Sequence, residues 1–208
     1  MSRRLPVGLY GIADTGFGDP ALLGRQLAQG GARVVQLRAK GWTTSQRVRA
    51  GRALVEHLRP RGVLVIMNDD LDAAVAIGAD GLHLGQQDGD LANARRVLGP
   101  DAILGRSTHS AAQASAAEAE ADYIGFGPVF ATTTKRAAGV ARGLDELATV
   151  VASITIPVVA IGGIRLEHLP GLRQAGAEHW AVISDIFRHE RPVEMARNFR
   201  LTATSPSR

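Results

Sequence analysis

The chain has 208 residues, of which 45% are hydrophobic, 21% charged and only 4% aromatic; it has no cysteine and a formal net charge of +4. This is the composition of a single soluble globular domain whose core is built largely from Val, Ile, Leu and Ala. It excludes disulfides and thiolate metal sites, and nowhere does it reach the run of about 18 apolar residues that a membrane span needs.

The basic excess does not mark a nucleic-acid binder. The arginines are spread along the chain beside Glu, Asp or Ala, and no basic block is interleaved with aromatics. Met1-Ser2-Arg3-Arg4-Leu5-Pro6 has no long apolar run behind its arginines, so no signal peptide is expected and the cytoplasm is the default compartment. The expectation is one domain over 1–208, with the small polar tail 202–208 frayed, no nucleic-acid or membrane partner, and nothing in the pattern against a homo-oligomer.

In chain order the sequence alternates short apolar runs with longer amphipathic segments. The runs predict strands at Val7–Ile12, Arg33–Arg38, Val63–Asn68, Gly81–Leu84, Ala102–Leu104, Asp122–Phe126, Pro157–Ile161 and Trp180–Ile183. Between and after them the pattern predicts helices at Ala21–Gln29, Thr44–Leu58, Leu71–Ile77, Asp90–Leu98, Ala111–Glu120, Leu144–Ala152, Leu166–Ala175 and Pro192–Arg200. A quasi-repeat underlies the alternation. Gln29–Arg38, Ile77–Gly85, Glu118–Gly127 and Ala175–Ser184 each read as a helix end, a small or Gly stop, a polar residue and a short apolar run. Eight such units predict an α/β fold, a single (β/α)8 TIM barrel with right-handed crossovers. A doubly wound open sheet is the lesser alternative, because no G-x-G-x-x-G turn follows the first strand.

Active sites of such barrels lie at the C-terminal ends of the strands, and polar residues collect there. Alternation points Gln36, Arg38 and Lys40 to one side, a costly arrangement on a buried strand unless they meet an anion or a salt-bridge partner on a neighbouring strand. Asp69 and Asp88 leave adjacent strands toward the same rim, where two carboxylates suit Mg2+; Asp70 reads as a helix cap. Thr132, Thr133, Thr134 and Lys135 follow the sixth strand as hydrogen-bond donors for a phosphate. Lys40 and Lys135 are the only two lysines in the chain. Gly162-Gly163 and Ile183-Ser184 end the seventh and eighth strands, where barrels often hold phosphate. Two anion sites with a metal between them imply two phosphorylated reactants or one doubly anionic reactant.

These stretches resemble the thiamine-phosphate synthase family: Val35–Lys40, Asn68-Asp69, Gly78–Asp88, Gly105-Arg106-Ser107-Thr108-His109, Gly127–Lys135 and Ala160–Ile164. The resemblance implies a transferase that joins hydroxymethylpyrimidine pyrophosphate to hydroxyethylthiazole phosphate, with Mg2+ as cofactor. It implies that Gln36, Arg38, Lys40, Asn68, Ser107 and Lys135 hold the pyrimidine pyrophosphate, with Arg38, Lys40, Ser107 and Lys135 acting in catalysis. By the same resemblance Asp69 and Asp88 ligate Mg2+, Thr132, Thr134, Gly163, Ile183 and Ser184 hold the thiazole phosphate, and His83 lies near the pyrimidine. The implied mechanism is dissociative and needs no nucleophilic side chain; Tyr10 is the best-placed aromatic to face a cation. The related thiazole tautomerase has a proton-transferring histidine where this chain has Pro128, so the synthase reading is preferred. His109 keeps the tautomerase in view, and a non-catalytic barrel that binds thiamine intermediates is a third reading. The chain departs from the family pattern at Arg106 and at Glu178-His179-Trp180.

Overall fold

The computed structural model describes residues 5–132 and 139–204. Eight strands alternate with helices: β1 Gly8–Asp14, β2 Val34–Arg38, β3 Leu64–Asn68, β4 Gly81–Leu84, β5 Ile103–Thr108, β6 Tyr123–Phe126, β7 Val158–Ile161 and β8 His179–Val182. The helices are α1 Pro20–Gln29, α2 Thr44–Leu58, α3 Leu71–Ile77, α4 Leu91–Leu98, α5 Ala111–Glu118, α6 Gly143–Ser153, α7 Leu169–Gln174, α8 Ser184–Phe187 and α9 Pro192–Thr204. The strands pair in sequence order, all parallel, and β1 closes on β8: the fold is the expected (β/α)8 barrel.

Side chains at the C-terminal ends of strands start the helices. Asp19, Thr43, Asp70, Asp90 and Ser110 each accept a backbone N–H in the first turn of α1 to α5. Asp70 is therefore the cap that its position suggests, and it also pairs with Arg47. The polar residue of the quasi-repeat has a purpose at the opposite end of the barrel. Asp80 accepts the Val65 N–H at 2.9 Å and Asp122 accepts the Leu104 N–H at 2.7 Å, satisfying donors at the starts of neighbouring strands.

Two apolar layers result. Val35, Leu37, Val65, Leu82, Leu104, Ile124 and Trp180 pack outward against the helices, while Tyr10, Ile12, Val34, Ile66, Ile103, Tyr123 and Val159 fill the barrel itself. Burial of both strand faces explains the unbroken apolar runs.

Most element boundaries lie within two residues of the pattern; three differences matter. β5 runs to Thr108, beyond the expected Leu104, because Ser107 and Thr108 continue the ladder with β6. The expected helix Leu166–Ala175 is a 3-10 turn, Leu166–His168, followed by α7. The four-residue α8 has no counterpart among the expected helices; it starts at Ser184, directly after β8. Among the described residues no helix is long and apolar enough to cross a membrane.

Candidate active site

Inward-facing positions at the C-terminal ends of the strands enclose a cavity of about 150 Å3. Gln36, Arg38, Lys40, Asn68, Asp69, His83, Asp88, Ser107, Thr132, Gly163, Ile183 and Ser184 all line it. The structure thus brings together every residue assigned from the sequence to substrate or metal except Thr134 and Lys135, which, with Thr133, lie outside the described residues.

On the side formed by β1 to β5, charged groups hold one another. Arg38 pairs with Asp14 of β1, a buried carboxylate that also accepts the Gly16 N–H at 2.8 Å. Lys40 pairs with Asp69, whose Oδ2 also accepts from Asn68 Nδ2 at 2.6 Å. Salt bridges to neighbouring strands and a place in the cavity are therefore both true of this pair of cations. Asp69 sits at φ 64°, a left-handed conformation unusual for a residue other than glycine. Such outliers collect at functional sites, where the surroundings over-determine them.

Asp69 and Asp88 interact directly across the β3–β4 rim. Burial works to raise the Asp69 carboxyl, but the hydrogen bond and charge of Lys40 hold it below the ordinary carboxylate value. Burial and the adjacent Asp69 carboxylate push Asp88 upward. Two carboxylates at one rim of the cavity, each shifting the other, fit a hard divalent cation such as Mg2+, which takes one or two carboxylates and completes its shell with phosphate oxygens and water. Among the described residues no group of three or more His, Cys, Asp or Glu offers an all-protein cage.

The barrel centre carries a buried hydrogen-bond chain. Gln36 Nε2 donates to the Tyr10 hydroxyl at 3.1 Å, Tyr10 and Tyr123 share a bond of 2.7 Å, Tyr123 meets His83 Nδ1 at 3.0 Å, and His83 Nε2 meets Ser107 Oγ at 2.9 Å. One direction of donation satisfies every member: Gln36 to Tyr10 to Tyr123 to His83 to Ser107, leaving the Ser107 hydroxyl to donate to a ligand. Burial raises both tyrosine hydroxyls above the usual phenol value, so they remain neutral donors. His83 is both a satisfied core residue and part of the cavity wall. Gly105 makes the chain possible, since a Cβ there would lie 2.2 Å from Tyr123 Cζ and 2.5 Å from His83 Nδ1.

On the side formed by β6 to β8 the wall is built from glycines, apolar residues and the hydroxyl residues Thr132 and Ser184. Gly163 has φ +62°, and a Cβ there would come within 2.3 Å of the Ala131 carbonyl oxygen, so only glycine fits. Ser184 opens α8 beside it, giving the mouth a helix N-terminus next to the glycines. Pro128 and His109 also line the cavity, and His109 Nδ1 is bonded to the Gly127 carbonyl.

Sequence reasoning missed Asp14 and Tyr123. An acidic residue at the end of β1 was the available signal for Asp14, whereas Tyr123 has the pattern of an ordinary strand aromatic. Arg106 faces away from the cavity and bonds the carbonyls of Gly85 and Gly89. His179 and Trp180 are both buried, so that departure from the family pattern is accommodated inside the fold.

The profile of the thiamine monophosphate synthase family matches residues 9–186. The chain belongs to this family. The thiamine-phosphate synthase of Laribacter hongkongensis (strain HLHK9) is 44% identical over 168 residues, covering 81% of this chain and 80% of that protein. The thiamine-phosphate synthase of Moorella thermoacetica (strain ATCC 39073 / JCM 9320) is 42% identical over 200 residues, covering 94% and 95%. Among solved structures, thiamine phosphate pyrophosphorylase from Pyrococcus furiosus superposes with a TM-score of 0.87 at 33% identity, covering 95% of each chain. The chain is accordingly an enzyme, a transferase of thiamine biosynthesis that couples a pyrimidine with a thiazole moiety to give thiamine phosphate.

Proposed function

We propose that the barrel mouth couples hydroxymethylpyrimidine pyrophosphate with hydroxyethylthiazole phosphate by a dissociative route, in which pyrophosphate departs before the new bond forms. The observation that carries this reading is one cavity with two unlike walls, one of paired charges on β1 to β5 and one of glycine and hydroxyl on β6 to β8. Two anion seats on one small cavity suit two phosphorylated reactants whose reacting ends meet between them.

In this reading the methylene carbon–oxygen bond of the pyrimidine substrate breaks, and both electrons leave with pyrophosphate. The resulting cation is delocalised into the pyrimidine, and the thiazole nitrogen lone pair then forms the carbon–nitrogen bond. Arg38, Lys40, Asn68 and Ser107 bind the pyrophosphate and stabilise the charge it gains, and Lys135 is assigned the same role by family resemblance. Gln36 orients the pyrimidine, and the Tyr10 ring faces it from β1 while its hydroxyl stays in the hydrogen-bond chain. His83 fixes the Ser107 hydroxyl as a donor. Gly163, Ile183 and Ser184 take the thiazole phosphate, together with Thr132 and, by resemblance, Thr134. Asp69 and Asp88 would hold Mg2+, which supplies charge neutralisation for the leaving group. We place the reaction in the cytoplasm, with these two small molecules as the enzyme's partners.

The test is to combine both precursors with Mg2+ and measure thiamine phosphate and pyrophosphate. Equal amounts of the two products, abolished by excess EDTA, are expected. Thiazole tautomerisation without Mg2+ and without thiamine phosphate would contradict the reading and point to His109, whose Nε2 remains free of the Gly127 bond as a base. Binding of both precursors with no turnover would point to a non-catalytic barrel.

A further inference from the structure

Arg106 stands in β5 between Gly105 and Ser107, both on the inner face of the barrel, so its own side chain projects outward. There it makes three hydrogen bonds to two carbonyls. Nη1 donates to Gly85 O at 2.7 Å and to Gly89 O at 3.0 Å, and Nη2 donates to Gly89 O at 3.0 Å. These carbonyls bracket the exposed segment that carries Asp88. Within it the Gly85 N–H donates to Asp88 Oδ2 at 3.1 Å, and the Asp88 N–H donates to Gly85 O at 3.2 Å. Gly85 O is therefore shared by Asp88 and Arg106. No carboxylate among the described residues forms an ion pair with Arg106, so its fork is committed to the loop backbone.

We propose that Arg106 is a positioning residue that holds Asp88 against Asp69. Two neighbouring carboxylates repel, and an untethered exposed loop would relieve that repulsion by swinging Asp88 into solvent. The planar guanidinium spans two carbonyls at fixed geometry, which a small or apolar side chain cannot do. The proposal rests on the reading of Asp69 and Asp88 as the Mg2+ carboxylates. Other contacts also tie the ends of this loop, so replacement of Arg106 should leave the fold intact. Gln86 Nε2 ties the same loop to Ser107 O at 2.6 Å, and Asp90 caps α4 through Ala92 and Asn93.

The test uses the whole enzyme and its Arg106→Met, Arg106→Lys and Asp88→Asn variants, with Mn2+ binding followed by electron paramagnetic resonance in the presence of inorganic pyrophosphate. Arg106→Met should weaken Mn2+ binding by about 10-fold to 100-fold, and the Mg2+ concentration for half-maximal coupling should rise by the same factor. Arg106→Lys keeps the charge without the fork and should recover only part of the loss. In the Asp88→Asn background, Arg106→Met should add less than about twofold, because the residue it positions is already gone. Normal Mn2+ affinity in Arg106→Met beside weakened affinity in Asp88→Asn would overturn the proposal and leave the metal reading standing. Full recovery by lysine, or losses that multiply in the double variant, would also overturn it. Unchanged Mn2+ affinity in Asp88→Asn would remove the metal reading, and the proposal with it.

Discussion

On the β1–β5 side of the mouth, Arg38, Lys40, Asp69 and Asp88 present charged side chains to the cavity, whereas the β6–β8 side offers glycines, apolar residues and the hydroxyl residues Thr132 and Ser184. Charged side chains drawn out of water need partners, and the first side shows those partners in Asp14, Asn68 and the Lys40–Asp69 pair. Main-chain donors need no charge partner; they need a backbone that comes close, which is why the second side is built on glycine. A group whose charge changes during the reaction gains most from fixed charges, and a phosphate that stays the same gains only a seat. In the proposed reading the first wall takes the leaving pyrophosphate and the second the spectator phosphate.

The largest stability effect should come from cutting the charged side. Arg38→Ala leaves the Asp14 carboxylate buried with the Gly16 N–H still donating to it but without its cation, and removal of one partner from such a pair costs about 3 kcal/mol. Urea denaturation should show that loss together with lower turnover; a loss under about 1 kcal/mol would show that the pair is dispensable to the charged wall.

A smaller effect is expected where the two walls meet. Tyr123→Phe removes the hydroxyl between Tyr10 and His83 and leaves two buried groups short of a partner, which should lower stability by about 1–2 kcal/mol. Because the chain runs from Gln36 to Ser107, both assigned to the pyrimidine substrate, the KM for that substrate should rise while the KM for the thiazole phosphate stays nearly constant. An equal change in both would show that the hydrogen-bond chain braces the two walls alike.

The same contrast governs how much the sequence reveals. Polar groups on a buried strand are physically expensive, so Gln36 and Arg38 declare themselves; Lys40, Asp69 and Asp88 are legible as charges that follow the strand ends, and the two-faced apolar runs with glycine stops are enough to read a barrel. β5 is harder to read: Gly105-Arg106-Ser107-Thr108 has the composition of a polar loop, and only the ladder partners on β6 reveal a strand. Tyr123 is hidden because a strand tyrosine ordinarily reads as core, and its neighbours Tyr10 and His83 are 113 and 40 positions away along the chain. Asp14 and Arg106 are legible as charges but not as partners, since each contact is made across neighbouring strands, 24 and 21 positions apart, and no local pattern records it. α8 is too short to leave a helical period.

The division between the walls is tested most directly by steady-state kinetics of Asp88→Asn and Ser184→Ala side by side, with both substrates varied at saturating Mg2+. Asp88→Asn should lower kcat by about 100-fold or more, as expected when a carboxylate that would hold the charge-neutralising Mg2+ in place is lost. Ser184→Ala should raise KM for the thiazole phosphate by about tenfold and leave kcat within about threefold, the loss of one hydrogen bond to a charged group that does not change. The reverse pattern, or an equal fall in kcat for both variants, would contradict the assignment of leaving pyrophosphate and spectator phosphate to opposite walls.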